Sequence, residues 1–598
     1  MSHKFSSAGP FPHIVLKPLC PHKRLEDIFN ECTHNLNAEL KDTDKCRFFQ
    51  TCKLEELEEL SNSGPDEAGK PKVDISKLPG LIALRDSLYS KEMRALVEEV
   101  TDCGELADTK DCTIDIFNQG CFRVCGMERP GSLLGARVIR FEAYLSSPDE
   151  EWIGGDGGAV QMFASGSWGV PRDVPSAEIA PFWNTMLLYE VGQRKPTYTA
   201  VEEVFSDKTR MCISGYYHST QVAADMPVPP VAKKKGDTME VMPLITEPFK
   251  DLPEEPSVEL PEKDIEYLSK FVSPEYLKAD NLVKIREKFA EDSSTVLTDF
   301  LLKDLADKIT VDCIQADVND NLGHDQRPRR VDVGVWNGWT VTGPPNERRF
   351  AAMVEGGQDI PDALGQSLKT MSQEVFFSGA FGRLLGSITG LRVLGGKKQV
   401  RRFRAGLDYA CASGNLPQGE YVLDAVLPFI DDRGPVGSPS TTEDITSGKK
   451  SGKEAMAKEE EGNNADDGVE SDAEDATKGD VWESGVVGGF ACYVEATDPY
   501  PEEGYSTMGT GGKDADEDEE GGPLIKCMPQ SNALCIALRD AGVLKFVKYI
   551  SSGAPGSRWD TTATYKVDGA HLGEDDEDAS EAEGKSSSSA AGEAKTKQ

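Results

Sequence analysis

Twice along this chain a helical hydrophobic period gives way to strand-like alternation, and this repeated order restricts the fold more than any other feature of the sequence. Leu25, Ile28, Phe29, Cys32, Leu36 and Leu40 recur every three to four residues, which predicts an amphipathic helix over about 23–40. A second helix is expected after Pro79-Gly80, with Leu81, Leu84, Leu88, Met93, Leu96 and Val97 on its buried face. The period then falls to two: Ile139, Phe141, Ala143 and Leu145 alternate with Val138, Arg140, Glu142 and Tyr144. Gly157-Gly158 opens another strand-like run over 159–164, and two more follow at 184–191 and 210–217. Helices followed by short strands with Gly and Pro turns predict an α+β domain, an antiparallel barrel or sandwich buttressed by helices, over residues 1–222. Residues 223–263 are Pro-rich and read as a linker. The helical period returns over 264–310, expected to be a helical connector, through Leu282, Ile285, Phe289, Val296, Leu297, Phe300, Leu301 and Leu305. A second β-rich block is expected over 311–567, with strand signals at 533–538 and 543–550. The same order occurring twice points to an internal duplication, although the halves share no motif that can be aligned.

Charge narrows the function. The formal net charge of −38 argues against a basic surface of the kind that wraps nucleic acid. Acid is concentrated in an insert at 436–480, in 513–520, and in a tail at 568–598 that holds Glu574 to Asp578. These segments lack aromatic residues and mix Gly, Ser, Ala and Lys, so they are expected to be disordered, either as solvated spacers or as docking arms for a basic partner. No apolar run approaches the roughly 18 residues of a membrane span, and the best candidate, 421–430, contains Asp424. The beginning of the chain carries Pro10 and Pro12 and no apolar signal region, so a nuclear or cytoplasmic location rather than secretion is expected. The fourteen cysteines contain no Cys-x-x-Cys pair, and Cys121 and Cys125 have the wrong spacing for a zinc knuckle; reduced, buried thiols are expected.

Beyond this point the order of particular residues adds information. The stretches Arg137 to Leu145, Gly157 to Phe163, Pro181-Phe-Trp-Asn184, Tyr189-Glu-Val191 and Arg210 to His218 resemble the eukaryotic ribosomal prolyl hydroxylases. So, further on, do Phe271 to Leu277, Gly343 to Phe350, Gly488-Gly-Phe490 and Phe546 to Tyr549. The resemblance runs in order over most of the chain. It implies two tandem double-stranded β-helix domains, the first catalytic and the second a structural or partner-binding module. It also implies Fe(II), 2-oxoglutarate and ascorbate as cofactors. The implied substrate is a proline of a small-subunit ribosomal protein, and the implied partners are ribosomal proteins or translation-termination factors.

The chemistry implied by the resemblance needs His-x-Asp and a distal His, which hold Fe(II) on one face and leave three positions for cosubstrate and oxygen. In the best alignment these positions fall on Gly126, Glu128 and Thr199, so Glu128 alone remains as a metal-ligand candidate. A gapped alternative sets the motif's leucines on Leu133 and Leu134 and deletes His-x-Asp altogether. The seven histidines (His3, His13, His22, His34, His218, His324 and His571) are followed two positions later by Phe5, Val15, Arg24, Leu36, Thr220, Gln326 and Gly573, never by an acid. On the cosubstrate side the resemblance places Arg210 and Tyr144 against the far carboxylate of 2-oxoglutarate, where an Arg fork pairs two-pronged with a carboxylate. Alternation puts Arg140 and Glu142 on the same face as Tyr144, where an ion pair between them would fill the cofactor's space. His218 reads as structural. Two functions remain open: a divergent prolyl hydroxylase, or a non-catalytic scaffold.

Overall fold

The computed structural model describes the chain except for residues 64–72, 133–134, 147–150, 167–168, 193–195, 221–247, 323–334, 337, 355–362, 415, 417–418, 433–480, 498–503, 508–521 and 569–598. The acidic insert, the acidic tail and most of the Pro-rich linker therefore lie outside the described residues, as do Leu133, Leu134, His324 and His571.

Two large antiparallel sheets dominate. The main strands of the first are β1 (His13–Leu16), β2 (Cys46–Thr51), β3 (Cys112–Phe117), β4 (Phe122–Glu128), β5 (Gly135–Tyr144), β6 (Val160–Phe163), β7 (Ala177–Ile179), β8 (Met186–Glu190), β9 (Thr197–Val201) and β10 (Arg210–His218). Those of the second are β11 (Ser294–Leu297), β12 (Arg348–Met353), β13 (Val393–Phe403), β14 (Tyr409–Ser413), β15 (Val422–Phe429), β16 (Ala491–Glu495), β17 (Ile525–Cys527), β18 (Leu534–Arg539), β19 (Val543–Val547) and β20 (Arg558–Val567). The spatial order is β1-β8-β5-β10-β3-β2-β4-β9-β6-β7 in the first sheet and β11-β18-β15-β20-β13-β12-β14-β19-β16-β17 in the second. Each strand of one half thus has a counterpart at the same place in the other, and the expected duplication is present as topology. Both sheets have the double-stranded β-helix plan.

The period-two pattern explains how each sheet is covered. On β5 the side chains of Ile139, Phe141 and Ala143, with Leu145 just beyond it, join Leu25, Ile28, Leu81, Leu84 and Leu88 of the helices in one apolar core. On β15 the same parity sends Leu423, Ala425, Leu427 and Phe429 into the core made with Phe289, Ile309, Phe381 and Leu385. Each buried Leu, Ile or Phe among them contributes about 1.5–3 kcal/mol. The opposite face of each strand is left to line the interior.

Local expectations needed correction in three places. The first helix is His22–Asn35 and not 23–40: Leu36 turns extended, and Ala38–Asp42 forms a strand against β2. The helix expected after Pro79 is two helices, Pro79–Leu88 and Lys91–Thr101. Ser90 is extended and its side chain accepts from the Met93 N–H at 3.1 Å, so it starts a new helix. Over 264–310 the chain forms three helices, Glu262–Leu268, Ala279–Asp292 and Lys303–Asn319, and a strand, because Ser293 at φ 52° ends the second helix and the next four residues form β11. These residues, with Lys250–Asp251 on β13, pack into the second domain and do not stand apart as a connector.

A polar and aromatic seam joins the halves. Phe122 stacks on Tyr549 at 4.1 Å. Lys548 places Nζ 2.6 Å from Asp42 and donates to the Cys46 carbonyl. Buried Glu203 accepts from Ser551 Oγ, Ser552 N–H and Tyr549 O–H. The cysteines are all free thiols, most of them buried, and among the described residues no helix is long and apolar enough to cross a membrane.

Candidate functional site

Five strands of the first sheet converge on the inward face that the sequence marks as charged. β4 supplies Glu128, β5 supplies Arg140, Glu142 and Tyr144, β8 supplies Tyr189, β9 supplies Thr199, and β10 supplies Arg210, Ser214 and Tyr216. Gly126 and Thr199 are cross-strand partners between β4 and β9, so the three positions of the iron motif do meet at one place.

Glu128 is buried, and its carboxylate is fully engaged. Oε1 accepts from Tyr189 O–H at 2.9 Å and from Thr199 Oγ1 at 2.7 Å, while Oε2 accepts from Tyr216 O–H at 2.8 Å. Arg140 stands 3.6 Å away and Arg123 3.9 Å away. Burial pushes the Glu128 carboxyl up, but the charges of Arg140 and Arg123 and the hydroxyl donors outweigh it and bring the pKa to about 2.

The second half of the site centres on Glu142. Arg210 Nη2 donates to Glu142 Oε2 at 2.6 Å, Tyr144 O–H donates to the same oxygen at 3.1 Å, and Arg140 Nε lies 3.6 Å from Oε1. Burial raises the Glu142 pKa, yet the Arg210 and Arg140 charges hold it below the usual carboxylate range. The rest of the Arg210 fork is also used: Nε donates to the Gly158 carbonyl at 2.9 Å and Nη1 to Cys212 Sγ at 3.4 Å. Arg140 donates to Ser214 Oγ at 2.7 Å and to Tyr216 O–H. The result is a buried network of guanidinium, carboxylate and hydroxyl groups.

The residues that the resemblance sets against a ligand carboxylate, Arg210 and Tyr144, do converge on a carboxylate, and it belongs to Glu142. The ion pair foreseen between Arg140 and Glu142 is present, extended by Arg210 and Glu128. Sequence reasoning did not single out Arg123, Tyr189, Ser214 or Tyr216. Alternation from Arg210 through Ser214 to Tyr216 was the signal available for two of them. His218, on the same strand, is buried with Nε2 2.9 Å from Asp111 Oδ2 and takes no part in the site.

A ferrous ion does not fit this donor set. One carboxylate, already accepting from three hydroxyls, faces two guanidinium groups, and neither Gly126 nor Thr199 offers an imidazole. A divalent cation there would meet two like charges at close range in a medium of low polarity. Among the described residues no cluster of three His, Cys, Asp or Glu side chains has metal-binding geometry.

Comparison with known proteins gives the site its context. A family described as the 2OG-Fe(II) oxygenase superfamily matches residues 112–218, and one described as the oxoglutarate and iron-dependent oxygenase degradation C-terminal region matches residues 263–575. The chain is similar to prolyl 3,4-dihydroxylase OGFOD1 of Ostreococcus tauri, 26% identical over 579 residues, covering 94% of this chain and 95% of that protein. It is also similar to prolyl 3-hydroxylase OGFOD1 of Xenopus laevis, 25% identical over 389 residues, covering 64% of this chain and 60% of that one. A solved Pseudomonas putida prolyl-4-hydroxylase aligns with TM-score 0.26 and 12% identity, covering 37% of this chain and 99% of that chain.

Proposed function

The chain belongs to the oxoglutarate- and iron-dependent oxygenase family, and we propose that within it this protein is a non-catalytic binding scaffold for a ribosomal protein or a translation-termination factor. Family membership implies Fe(II) and 2-oxoglutarate. The observation that carries the proposal is the Glu142 carboxylate, held by Arg210 at 2.6 Å and Tyr144 at 3.1 Å. An internal carboxylate satisfies the cationic anchor that a cosubstrate would need, and a buried ion pair of this kind is costly to open. On this reading Fe(II), 2-oxoglutarate and ascorbate are all dispensable. The double β-helix then serves as the scaffold itself and works in the nucleus or cytoplasm, where such partners reside.

A second reading has its own support: similarity to a prolyl 3,4-dihydroxylase over nearly the whole chain favours a hydroxylase acting on a proline of a small-subunit ribosomal protein. The two are separated by incubating the full chain with Fe(II), 2-oxoglutarate and ascorbate and measuring succinate. Alongside, the metal-free protein is sedimented with small ribosomal subunits and with purified termination factors. The scaffold reading expects succinate at the level of a metal-free control and salt-sensitive co-sedimentation. Succinate above that control would overturn it. Failure to sediment with either partner would remove the partner assignment.

A further inference from the structure

The duplication allows the two barrel interiors to be compared position by position. Arg210 and Arg558 both open the long strand at the centre of their sheets, and both donate to the carbonyl of the second glycine of a Gly-Gly turn, Gly158 or Gly489. A Cβ on either of these glycines would meet a tryptophan, Trp152 or Trp482. From this anchor the registers run in step. Leu187 lies opposite Glu142 on β5, and Cys535 opposite Val426 on β15. Ile179 lies opposite Val160, and Cys527 opposite Ala491.

The apolar pair of the first barrel is thus replaced in the second by two cysteines. In the first barrel Leu187 and Ile179 pack in one cluster with Tyr144 and Val160. In the second, Cys527 Sγ and Cys535 Sγ are 2.8 Å apart, one on β17 and the other on β18, facing each other from the two sides of the barrel. Both line a cavity of about 220 Å³ together with Tyr493, Lys526 and Arg558. Cys527 is partly exposed and Cys535 is 8% exposed. The Cys535 contact, with the Lys545 and Arg558 cations nearby, lowers the Cys527 thiol against the burial that opposes it; the other cysteines with a resolved shift, including Cys20 and Cys103, are raised. A partly exposed thiol beside cations and next to a second thiol is the environment in which cysteines react.

We propose that Cys527 and Cys535 form an oxidisable dithiol at this cavity, converted to a disulfide by a small hydroperoxide such as hydrogen peroxide. The Cys527 thiolate attacks one peroxide oxygen; the S–O bond forms, the O–O bond breaks, and the departing hydroxide takes a proton to become water. Cys535 sulfur then attacks the Cys527 sulfenic sulfur; the S–S bond forms, the S–O bond breaks, and the hydroxyl leaves as water with the Cys535 proton. Two thiols lose two electrons, and one peroxide is reduced to two waters. The product links β17 to β18 and closes the side of the cavity between them.

The test treats the full-length protein with hydrogen peroxide, blocks free thiols by alkylation at intervals, and maps every cysteine by mass spectrometry with and without prior reduction. The expected result is a Cys527–Cys535 crosslinked peptide that appears about tenfold faster than modification of Cys20 or Cys103 and is reversed by dithiothreitol. Cys535→Ser should stop at a Cys527 sulfenic acid that dimedone traps, and Cys527→Ser should leave Cys535 unmodified. Wild-type protein in which both thiols alkylate freely after excess peroxide, or react no faster than Cys20, would overturn the proposal. If either variant fails to give the native circular dichroism spectrum, the order of labelling in the wild-type chain decides alone.

Discussion

Replacing Glu142 with alanine removes the carboxylate on which Arg210, Tyr144 and Arg140 converge. The side chains of Arg210 and Glu142 are 1% and 2% exposed, so the guanidinium left behind has no water to turn to. Breaking a buried pair from one side costs about 3–5 kcal/mol. For a domain of this size that is a fall of about 10–15 °C in melting temperature. If Glu142 stands in for a ligand carboxylate, the vacated space should accept one. Propionate, succinate or 2-oxoglutarate at about 100 times its dissociation constant would return about 2.7 kcal/mol to the variant, whereas the wild-type chain, its site already filled, gains nothing. Differential scanning fluorimetry of both proteins, with each carboxylate against chloride at matched ionic strength, reads the comparison directly. The double change Glu142→Leu with Arg210→Met, which leaves no lone charge, should be less destabilised than Glu142→Ala alone. Two results would refute the reasoning: a Glu142→Ala variant within about 1 kcal/mol of wild type, the size of a surface contact, or equal stabilisation of both proteins by 2-oxoglutarate.

Acid titration provides a second check. The folded pKa values of Glu128 and Glu142 lie below their unfolded ones, so the stability they supply is present above about pH 4.5 and is lost as pH falls further, for Glu128 as it approaches about 2. Melting temperature should therefore hold from pH 7 to 5 and drop steeply below, and Glu128→Gln should flatten that drop while lowering stability at neutral pH. At the seam, Lys548→Met strips Asp42 of a charge partner 2.6 Å away and should split one calorimetric transition into two as the halves uncouple. Installing histidines at Gly126 and Thr199 should not by itself create an iron site, because Arg140 and Arg123 remain beside Glu128. Anaerobic Fe(II) titration should show binding only after both arginines are also replaced.

Much of the architecture was written in short-range pattern. The alternation over 138–145 specified a strand with one apolar and one charged face, and the helices then had one place to bury Leu25, Leu81 and Leu84. The lack of any His-x-Asp needed no structure at all. Boundaries were less legible: Leu36 continues a helical period yet leaves the helix for a strand, because pairing with β2 satisfies its neighbours' backbone groups and the period does not. The glycine pairs at Gly157 and Gly488 were visible, but their equivalence was not, since topology and register survive where side chains have drifted.

Composition and periodicity decide which residues are inside and which outside, because burial depends on neighbours within a turn or a pleat. Partnership is different. Glu128, Tyr189, Thr199 and Tyr216 come from four strands, and whether Glu142 points at Arg210 or at solvent is set by how strands 68 residues apart are registered. Likewise, Cys527 and Cys535 are eight residues apart in the chain but meet from separate sides of a barrel. Hydrogen bonds and ion pairs act over about 3 Å, so only the folded arrangement could decide that this interior is closed by its own charges and that two thiols face each other across the second.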